Sequence, residues 1–364
     1  MRAYRETHRE LTLDLGLKGF GKLDISPELT RLLDAETVLE IFNTKPKLKF
    51  NKRGELVPYE FDKGFYLIDV KGVKGSVKDL GGFDEDLLVS NFWALFLGYL
   101  RNVDTGDVVD IGGSVRTIRS SGDVQSGAAY LEFGTGTDPE YFTHYNLVSR
   151  IASIPTTISI SYMSDRNRVS LSGTLTGYAY ELGITQPLFD IAGNTRYTML
   201  GRRVGTWSGG QVVVWNIDFL QPWVRAVADL FYGILRDANV TMVDATGAYF
   251  TAKTSGDANA SSIWLVASPD AVTWSPGLTN IPNSVGLSMS YLDYLGSRIA
   301  RMTYLIGTLS PLTDTQYSTL GLYQGISDTA GAWHDCAMMV IPLSAPITFY
   351  KDRNNLAILR IIVM

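Results

Sequence analysis

The sequence predicts a mainly β protein: two tandem β-sandwich modules, each preceded by a short helix, behind a charged N-terminal arm of mixed α and β character. Three observations carry this expectation. From residue 87 onward, short runs rich in Val, Ile, Thr and Tyr alternate with Gly/Ser/Asn/Asp turns, the pattern of sandwich strands. Charge density falls at the same point, with 31 charged residues among the first 86 and 38 among the remaining 278. Landmarks then recur in the same order about 135 residues apart, the signature of an internal repeat. The expected divisions are an arm over residues 1–86, a first module over 87–221 and a second, degenerate module over 222–364.

In the arm, Ser26 and Pro27 read as the N-cap and first residue of a short helix running to Ile41. Lys45-Pro-Lys-Leu-Lys-Phe-Asn-Lys-Arg53 alternates as a solvent-edged strand does. Gly64 to Val70 reads as a further strand and Lys71 to Gly82 as a glycine-punctuated loop. The arm has few long apolar runs with which to bury a core of its own, and unpaired strands are a liability. Part of it is therefore expected to pair with the modules or to strap over an adjacent subunit.

Beyond the arm, helical character is confined to the stretches from Asp86 to Leu100 and from Pro222 to Arg236, each apolar on most sides. Strands are expected from Ser114 to Ile118, Ala128 to Phe133, Thr157 to Tyr162, Arg168 to Thr176 and Gln211 to Phe219. The repeat pairs Leu97-Gly-Tyr-Leu-Arg101 with Tyr232-Gly-Ile-Leu-Arg236 and Asp110-Ile-Gly-Gly113 with Asp244-Ala-Thr-Gly247. It further pairs Tyr130–Phe133 with Ile263–Val266, Tyr180–Ile184 with Ser318–Leu322, and Val212–Trp215 with Ala357–Arg360. No linker separates the halves, because Phe219-Leu-Gln-Pro-Trp223 leads from the last strand of one into the helix of the next.

Composition narrows the chemistry. A net charge of −5 argues against a global polyphosphate binder. A single cysteine, Cys336, excludes an intramolecular disulfide framework and a multi-cysteine metal site, and three histidines (His8, His144, His334) make a poor metal centre. The charged N-terminus does not resemble a secretory signal. The longest apolar stretch, Asn91 to Leu100, stops at Arg101, short of the roughly 18 residues a membrane span needs.

The chemistry-bearing motifs each have a plainer structural reading. Phe133-Gly-Thr-Gly-Thr-Asp-Pro139 lacks the third glycine or Gly-Lys-Ser/Thr ending of a phosphate loop, so a strand ending in a glycine turn is expected. His334-Asp335-Cys336 sets a thiol beside a histidine, but neighbours on a strand point to opposite faces, so a buried cysteine is expected. Asp165, Glu181, Asp190, Asp218, Asp293 and Asp314 are scattered singly, with nothing to select an acid–base pair. The basic cluster Lys45, Lys47, Lys49, Lys52 and Arg53 is nearly cancelled by Glu36, Glu40, Glu55 and Glu60, favouring a solvated edge or a subunit contact over nucleic acid. Tyr141, Phe142, Tyr145, Trp207, Trp274 and Trp333 lie in polar, glycine-rich stretches, where they suit sugar stacking or, as favoured here, protein interfaces. No catalytic, cofactor-binding or metal-ligating residue is expected.

At Phe133-Gly-Thr-Gly-Thr-Asp-Pro-Glu-Tyr-Phe-Thr-His-Tyr-Asn-Leu147 the sequence resembles a motif common in virion proteins of tailed phages and thermophilic archaeal viruses. Those proteins continue with a Thr-rich strand, a Glu-x-Gly-Leu-Tyr turn, an arginine-bearing strand and a final apolar strand. Here Val169-Ser-Leu-Ser-Gly-Thr-Leu175, Tyr180-Glu-Leu-Gly-Ile184, Leu200-Gly-Arg-Arg203 and Val212 to Phe219 stand in that order. The second module keeps Leu320-Gly-Leu-Tyr323 but has Ala267-Ser-Pro-Asp270 for the glycine–threonine loop and Thr319 for the glutamate. The resemblance implies a structural virion component (capsid, turret, neck or tail) that assembles with itself and with other virion proteins, without enzymatic activity or membrane association. It places the chain in the virion, assembled in the host cytoplasm. The alternatives are a carbohydrate- or receptor-binding fibre and a host surface filament subunit.

Overall fold

Alternating β-branched and aromatic residues need a partner strand to become a sheet, and in the computed structural model nearly every such run has one. The structure describes residues 51, 55–71, 73–79, 82–119, 122–123, 127–141, 143–255, 257–258, 260–292, 302–351, 353 and 355–362. It also describes three N-terminal strands, β1 (Arg2–Arg5), β2 (Leu11–Asp14) and β3 (Lys22–Ile25), which form a small antiparallel meander. The helix expected from Pro27 to Ile41 and, but for Asn51, the strand expected from Lys45 to Arg53 lie outside these residues.

Next come β4 (Tyr59–Asp62), β5 (Phe65–Lys71), β6 (Lys74–Asp79), β7 (Gly82–Leu88) and helix α1 (Ser90–Arg101). The chain continues through β8 (Thr105–Val109), β9 (Val115–Ile118), β10 (Gly122–Asp123), β11 (Tyr130–Gly134), β12 (Arg150–Ile154) and β13 (Thr157–Tyr162). The long strands β14 (Arg166–Thr174), β15 (Ala179–Phe189), β16 (Thr195–Trp207) and β17 (Val212–Leu220) lead to helix α2 (Arg225–Arg236). After it stand β18 (Val240–Val243), β19 (Tyr249–Ala252), β20 (Asp257–Ala258), β21 (Trp264–Ser268), β22 (Val285–Gly286) and β23 (Ser288–Leu292). The described chain closes with β24 (Met302–Leu309), β25 (Thr315–Ser327), β26 (Trp333–Phe349) and β27 (Asn355–Ile362).

Three expectations are corrected here. The expected loop from Lys71 to Gly82 contains strand β6, whose one glycine, Gly75, is overridden by pairing on both sides: Val77 lies opposite Trp215 of β17 and Asp84 of β7. Helix α1 starts at Ser90 rather than Asp86, because residues 82–88 form β7. Helix α2 starts at Arg225 rather than Pro222, because the preceding residues run along β26: the Val224 N–H donates to the Met338 carbonyl at 3.2 Å and the Val340 N–H to the Pro222 carbonyl at 3.0 Å.

The largest sheet has the order β12-β11-β15-β16-β7-β6-β17-β14-β13. Its two end strands are joined by only Pro155 and Thr156. A flat nine-stranded sheet would set them about 38 Å apart at ~4.8 Å per strand, whereas three Cα steps reach about 11 Å. The sheet therefore bends back on itself. Leu131, Phe133, Val169, Leu171, Leu182, Ile184 and Trp215 from its strands meet in one core. Trp215 lies so close to Gly201 that a Cβ there would sit 2.6 Å from its Cζ2.

The second half forms a four-stranded sheet, β22-β21-β25-β26, and a five-stranded one, β23-β24-β27-β5-β4. The first four strands of the large sheet and the four-stranded sheet thus share one strand order ten labels apart, as do β13-β14-β17 and β23-β24-β27. Residues 59–88 contribute to both halves. β6 and β7 sit inside the large sheet, and β5 lies parallel to β27 with Asp69 opposite Arg360. Arg360 donates from Nε to Asp69 Oδ1 at 2.5 Å and from Nη2 to Oδ2 at 2.8 Å, both residues buried.

Helix α1 is buried from Asn91 to Leu100, as an all-round apolar helix must be. Its Phe92, Phe96 and Tyr99 pack against Phe231 of α2. Each helix ends on a short polar residue in the left-handed conformation, Asn102 and Asp237, both at φ 52. Contacts between the halves are reciprocal. The Ala129 N–H donates to the Leu235 carbonyl and the Ile263 N–H to the Leu100 carbonyl, at 2.7 and 2.9 Å. Gln186 Nε2 donates to the Ile234 carbonyl and Gln324 Nε2 to the Tyr99 carbonyl, at 2.7 and 2.9 Å. Strand β10 pairs antiparallel with β20, Gly122 opposite Ala258 and Asp123 opposite Asp257.

Candidate functional site

The glycine–threonine segment leaves β11 at Gly134 and returns to β12 at Arg150, and it is held from beneath by the next two strands. Glu181 of β15 lies opposite Gly134. Its Oε1 accepts the Gly136 and Ser149 N–H groups at 3.0 and 2.6 Å, and its Oε2 the Val148 N–H at 2.9 Å. Arg202 of β16 donates to Oε2 from Nε at 3.0 Å and from Nη2 at 2.9 Å. Its Nη1 donates to the Asp138 and Pro139 carbonyls at 3.1 and 3.3 Å and approaches His144 Nδ1 at 3.3 Å. The glycines are needed for this approach: a Cβ on Gly136 would lie 2.6 Å from Glu181 Oε1, and one on Gly134 2.3 Å from the Ser149 carbonyl oxygen.

Glu181 and Arg202 are both fully buried. Burial pushes the Glu181 carboxyl upward, but the Ser149 and Val148 N–H groups and Arg202 outweigh it and hold it below the ordinary value. An ionised carboxylate with its lone pairs spent on backbone N–H groups and a guanidinium is a loop clamp. Nearby, Glu140 accepts from the Val204 N–H at 2.5 Å and from Arg203 Nη1 at 3.3 Å, fastening the same loop to β16. At the matching register of the second half, Thr319 lies opposite Ser268 and Val340 opposite Gly321. The Thr319 hydroxyl accepts the Val272 N–H and donates to the Asp270 carbonyl, and Val340 packs with Val266, Ile281 and Tyr323.

The other carboxylates singled out in the sequence go to separate places. Asp190 Oδ1 accepts the Ala192 and Asn194 N–H groups of a tight turn, and Oδ2 pairs with Arg196 at 2.8 Å. Asp218 is buried and takes Arg168 at 2.6 Å; it shares Arg166 with the exposed Asp165. Asp314 accepts the Lys351 N–H. Asp293 and the cluster Lys45, Lys47, Lys49, Lys52 and Arg53 lie outside the described residues. Among the described residues no group of three His, Cys, Asp or Glu could hold a metal ion.

Cys336 is buried, and that burial pushes its thiol up, with Asp244, Asp335 and Asp229 adding to the rise. The side chain of His334 leaves it, reaching Asp244 at 3.1 Å and Asp328 at 3.5 Å and stacking on Phe250 at 4.0 Å. Of the aromatics, Tyr141, Tyr145 and Trp333 are exposed at 56%, 40% and 54%, and Phe142 lies outside the described residues. Trp207 is a correction to the surface-platform reading, because it is buried against Gly205. Trp274 is half-buried beside the Val340 cluster.

Sequence reasoning missed a second polar cluster, because its members come from different elements. Tyr162 of β13 donates its hydroxyl to Asp229 Oδ1 at 2.5 Å, Arg225 Nε donates to Oδ2 at 3.0 Å, and the Arg225 guanidinium lies 4.2 Å over the Tyr162 ring. Burial raises the Asp229 carboxyl despite both partners. A signal that was readable is Asp-x-x-Gly, present at Asp110, Asp190, Asp244 and Asp328. Each aspartate caps a hairpin turn through its Oδ1, with Gly113, Gly193, Gly247 and Gly331 at positive φ.

Among the described residues no helix is long and apolar enough to cross a membrane. Comparison of the chain with protein families, with curated proteins and with solved structures finds no match.

Proposed function

We propose that this chain is a structural, self-assembling virion component without catalytic activity, built from two tandem copies of one β module of which the second has diverged. The reciprocal bonding between the halves carries the reading. Ala129 and Ile263, Leu100 and Leu235, and Gln186 and Gln324 correspond in strand register, which moves the expected match of Tyr130 from Ile263 to Trp264, and each makes across the seam the bond its counterpart makes in return. Such pairing is what an isologous two-fold contact becomes when two copies are fused. The matching strand orders support the same duplication.

A rigid double module whose buried charges clamp loops and join strands is suited to being a building unit. Strands β12 and β13 end the large sheet, and β13 reads Thr-Ile-Ser-Ile-Ser-Tyr, with none of the charges or prolines that blunt an edge. Its own chain and other virion proteins are the partners this reading assigns. Sedimentation velocity of the purified chain over a wide concentration range tests it: a shift to a defined multi-copy species is expected, and a monomer throughout would overturn it. The exposed Tyr141, Tyr145 and Trp333 favour a glycan-binding fibre as a second reading, which a glycan array without hits would remove.

A further inference from the structure

The segment above the Glu181–Arg202 clamp has one fastening that depends on a protonation state. His144 Nδ1 accepts the Tyr141 N–H at 3.0 Å, and Arg202 Nη1 points at the same nitrogen at 3.3 Å. Arg202 is a donor in every state and a backbone N–H can only donate, so Nδ1 has to carry a lone pair and the ring proton has to sit on Nε2. The Tyr141 ring lies beside the imidazole, with centroids 5.2 Å apart, and is exposed to solvent.

We propose that His144 is a pH-operated catch: with a bare Nδ1 it fastens the turn from Asp138 to Tyr141 to β16, and protonation at that nitrogen releases Tyr141. Taking up a proton at Nδ1 removes the acceptor for the Tyr141 N–H and sets an imidazolium against the Arg202 guanidinium. Arg202 cannot withdraw, because two further nitrogens hold Glu181 and its Nη1 also serves the Asp138 and Pro139 carbonyls.

The charged groups acting on His144 come from β15, from β16 and from its own loop. Glu181 of β15 favours the imidazolium but is neutralised by Arg202 and its N–H donors. Asp138 and Glu140 on the loop also favour it, Glu140 being engaged by Arg203 and the Val204 N–H. Burial and then Arg202 prevail, holding the imidazole below its usual 6.5. A depressed folded-state value means that the catch contributes fully above 6.5 and is lost as pH falls through the lower value.

Hydrogen exchange resolved to single amides, corrected for the intrinsic pH dependence of exchange, tests this on the full chain. Between about pH 7.5 and a pH below the imidazole's own NMR titration midpoint, Tyr141 amide protection should fall about tenfold, the worth of the bonds lost. The Gly136, Val148 and Ser149 amides on Glu181 should stay protected. His144→Asn places an oxygen where Nδ1 was and does not titrate, so Tyr141 should remain protected at both values. His144→Ala should lose that protection at both. Equal wild-type protection at the two values, or the wild-type drop persisting in His144→Asn, would overturn the proposal. An imidazole NMR titration of the wild type, which needs no variant to fold, should follow the Tyr141 amide step for step; if the two move apart, the proposal fails.

Discussion

Arg202→Met removes the guanidinium that completes the loop clamp while keeping most of the side-chain stem. Glu181 would stay buried with only the Gly136, Val148 and Ser149 N–H groups, and the Asp138 and Pro139 carbonyls would lose a donor. Removing one member of a buried pair costs about 3–5 kcal/mol. The lower end applies here, because three backbone donors remain on the carboxylate. About 3 kcal/mol corresponds to a fall in Tm of roughly 4 °C for a 364-residue chain that unfolds as one unit. The loss should depend on pH. In the wild type the Glu181 carboxyl is held below its ordinary value, so its contribution is present above that value and lost as pH falls through the lower folded one. Without Arg202, burial is less opposed and the carboxyl moves up, so the deficit is largest near neutral pH and narrows toward about pH 5. Urea unfolding at several pH values measures it. A Glu181→Gln/Arg202→Met cycle should show coupling of about 2 kcal/mol or more. A deficit under about 1 kcal/mol, unchanged with pH, would refute the clamp.

Asp229→Asn should flatten part of the wild-type pH profile. Burial raises the Asp229 carboxyl, so its contribution is complete below the usual 3.8 and lost as pH rises through the folded value; urea midpoints of the two proteins should diverge in that sense. Gly201→Ala should cost about 1–3 kcal/mol by calorimetry, because the new Cβ would meet Trp215. Gln324→Leu removes the donor to the Tyr99, Leu100 and Ser261 carbonyls, and should cost about 1–3 kcal/mol and loosen the end of α1 in hydrogen exchange.

Local alternation was enough where a strand's two faces differ. Thr157 to Tyr162 is read to the residue, because its isoleucines turn toward the core and its serines away. The strand β6 was hidden because Gly75 and the glycines that flank it in sequence resemble a loop, and one of the two strands that recruit it, β17, lies far away in sequence. The parallel pairing of β5 with β27 joins segments almost 300 residues apart, so neither the pairing nor the Asp69–Arg360 bond could be seen locally. The clamp was half legible. The glycine loop, the Glu181 motif and the Leu200–Arg203 segment stood out as turn and strand signals, but only the β11–β15–β16 register brings them together. Asp229 and Tyr162 gave no signal, since a helix and an edge strand meet there by tertiary packing alone.

The central proposal is that this chain is a tandem β module that builds a multi-copy particle. Electron microscopy of the purified full-length chain tests it most directly. Rings, tubes or shells in which each chain contributes two similar lobes related by a local two-fold axis are the predicted result. Fields of isolated single chains at every concentration would contradict it.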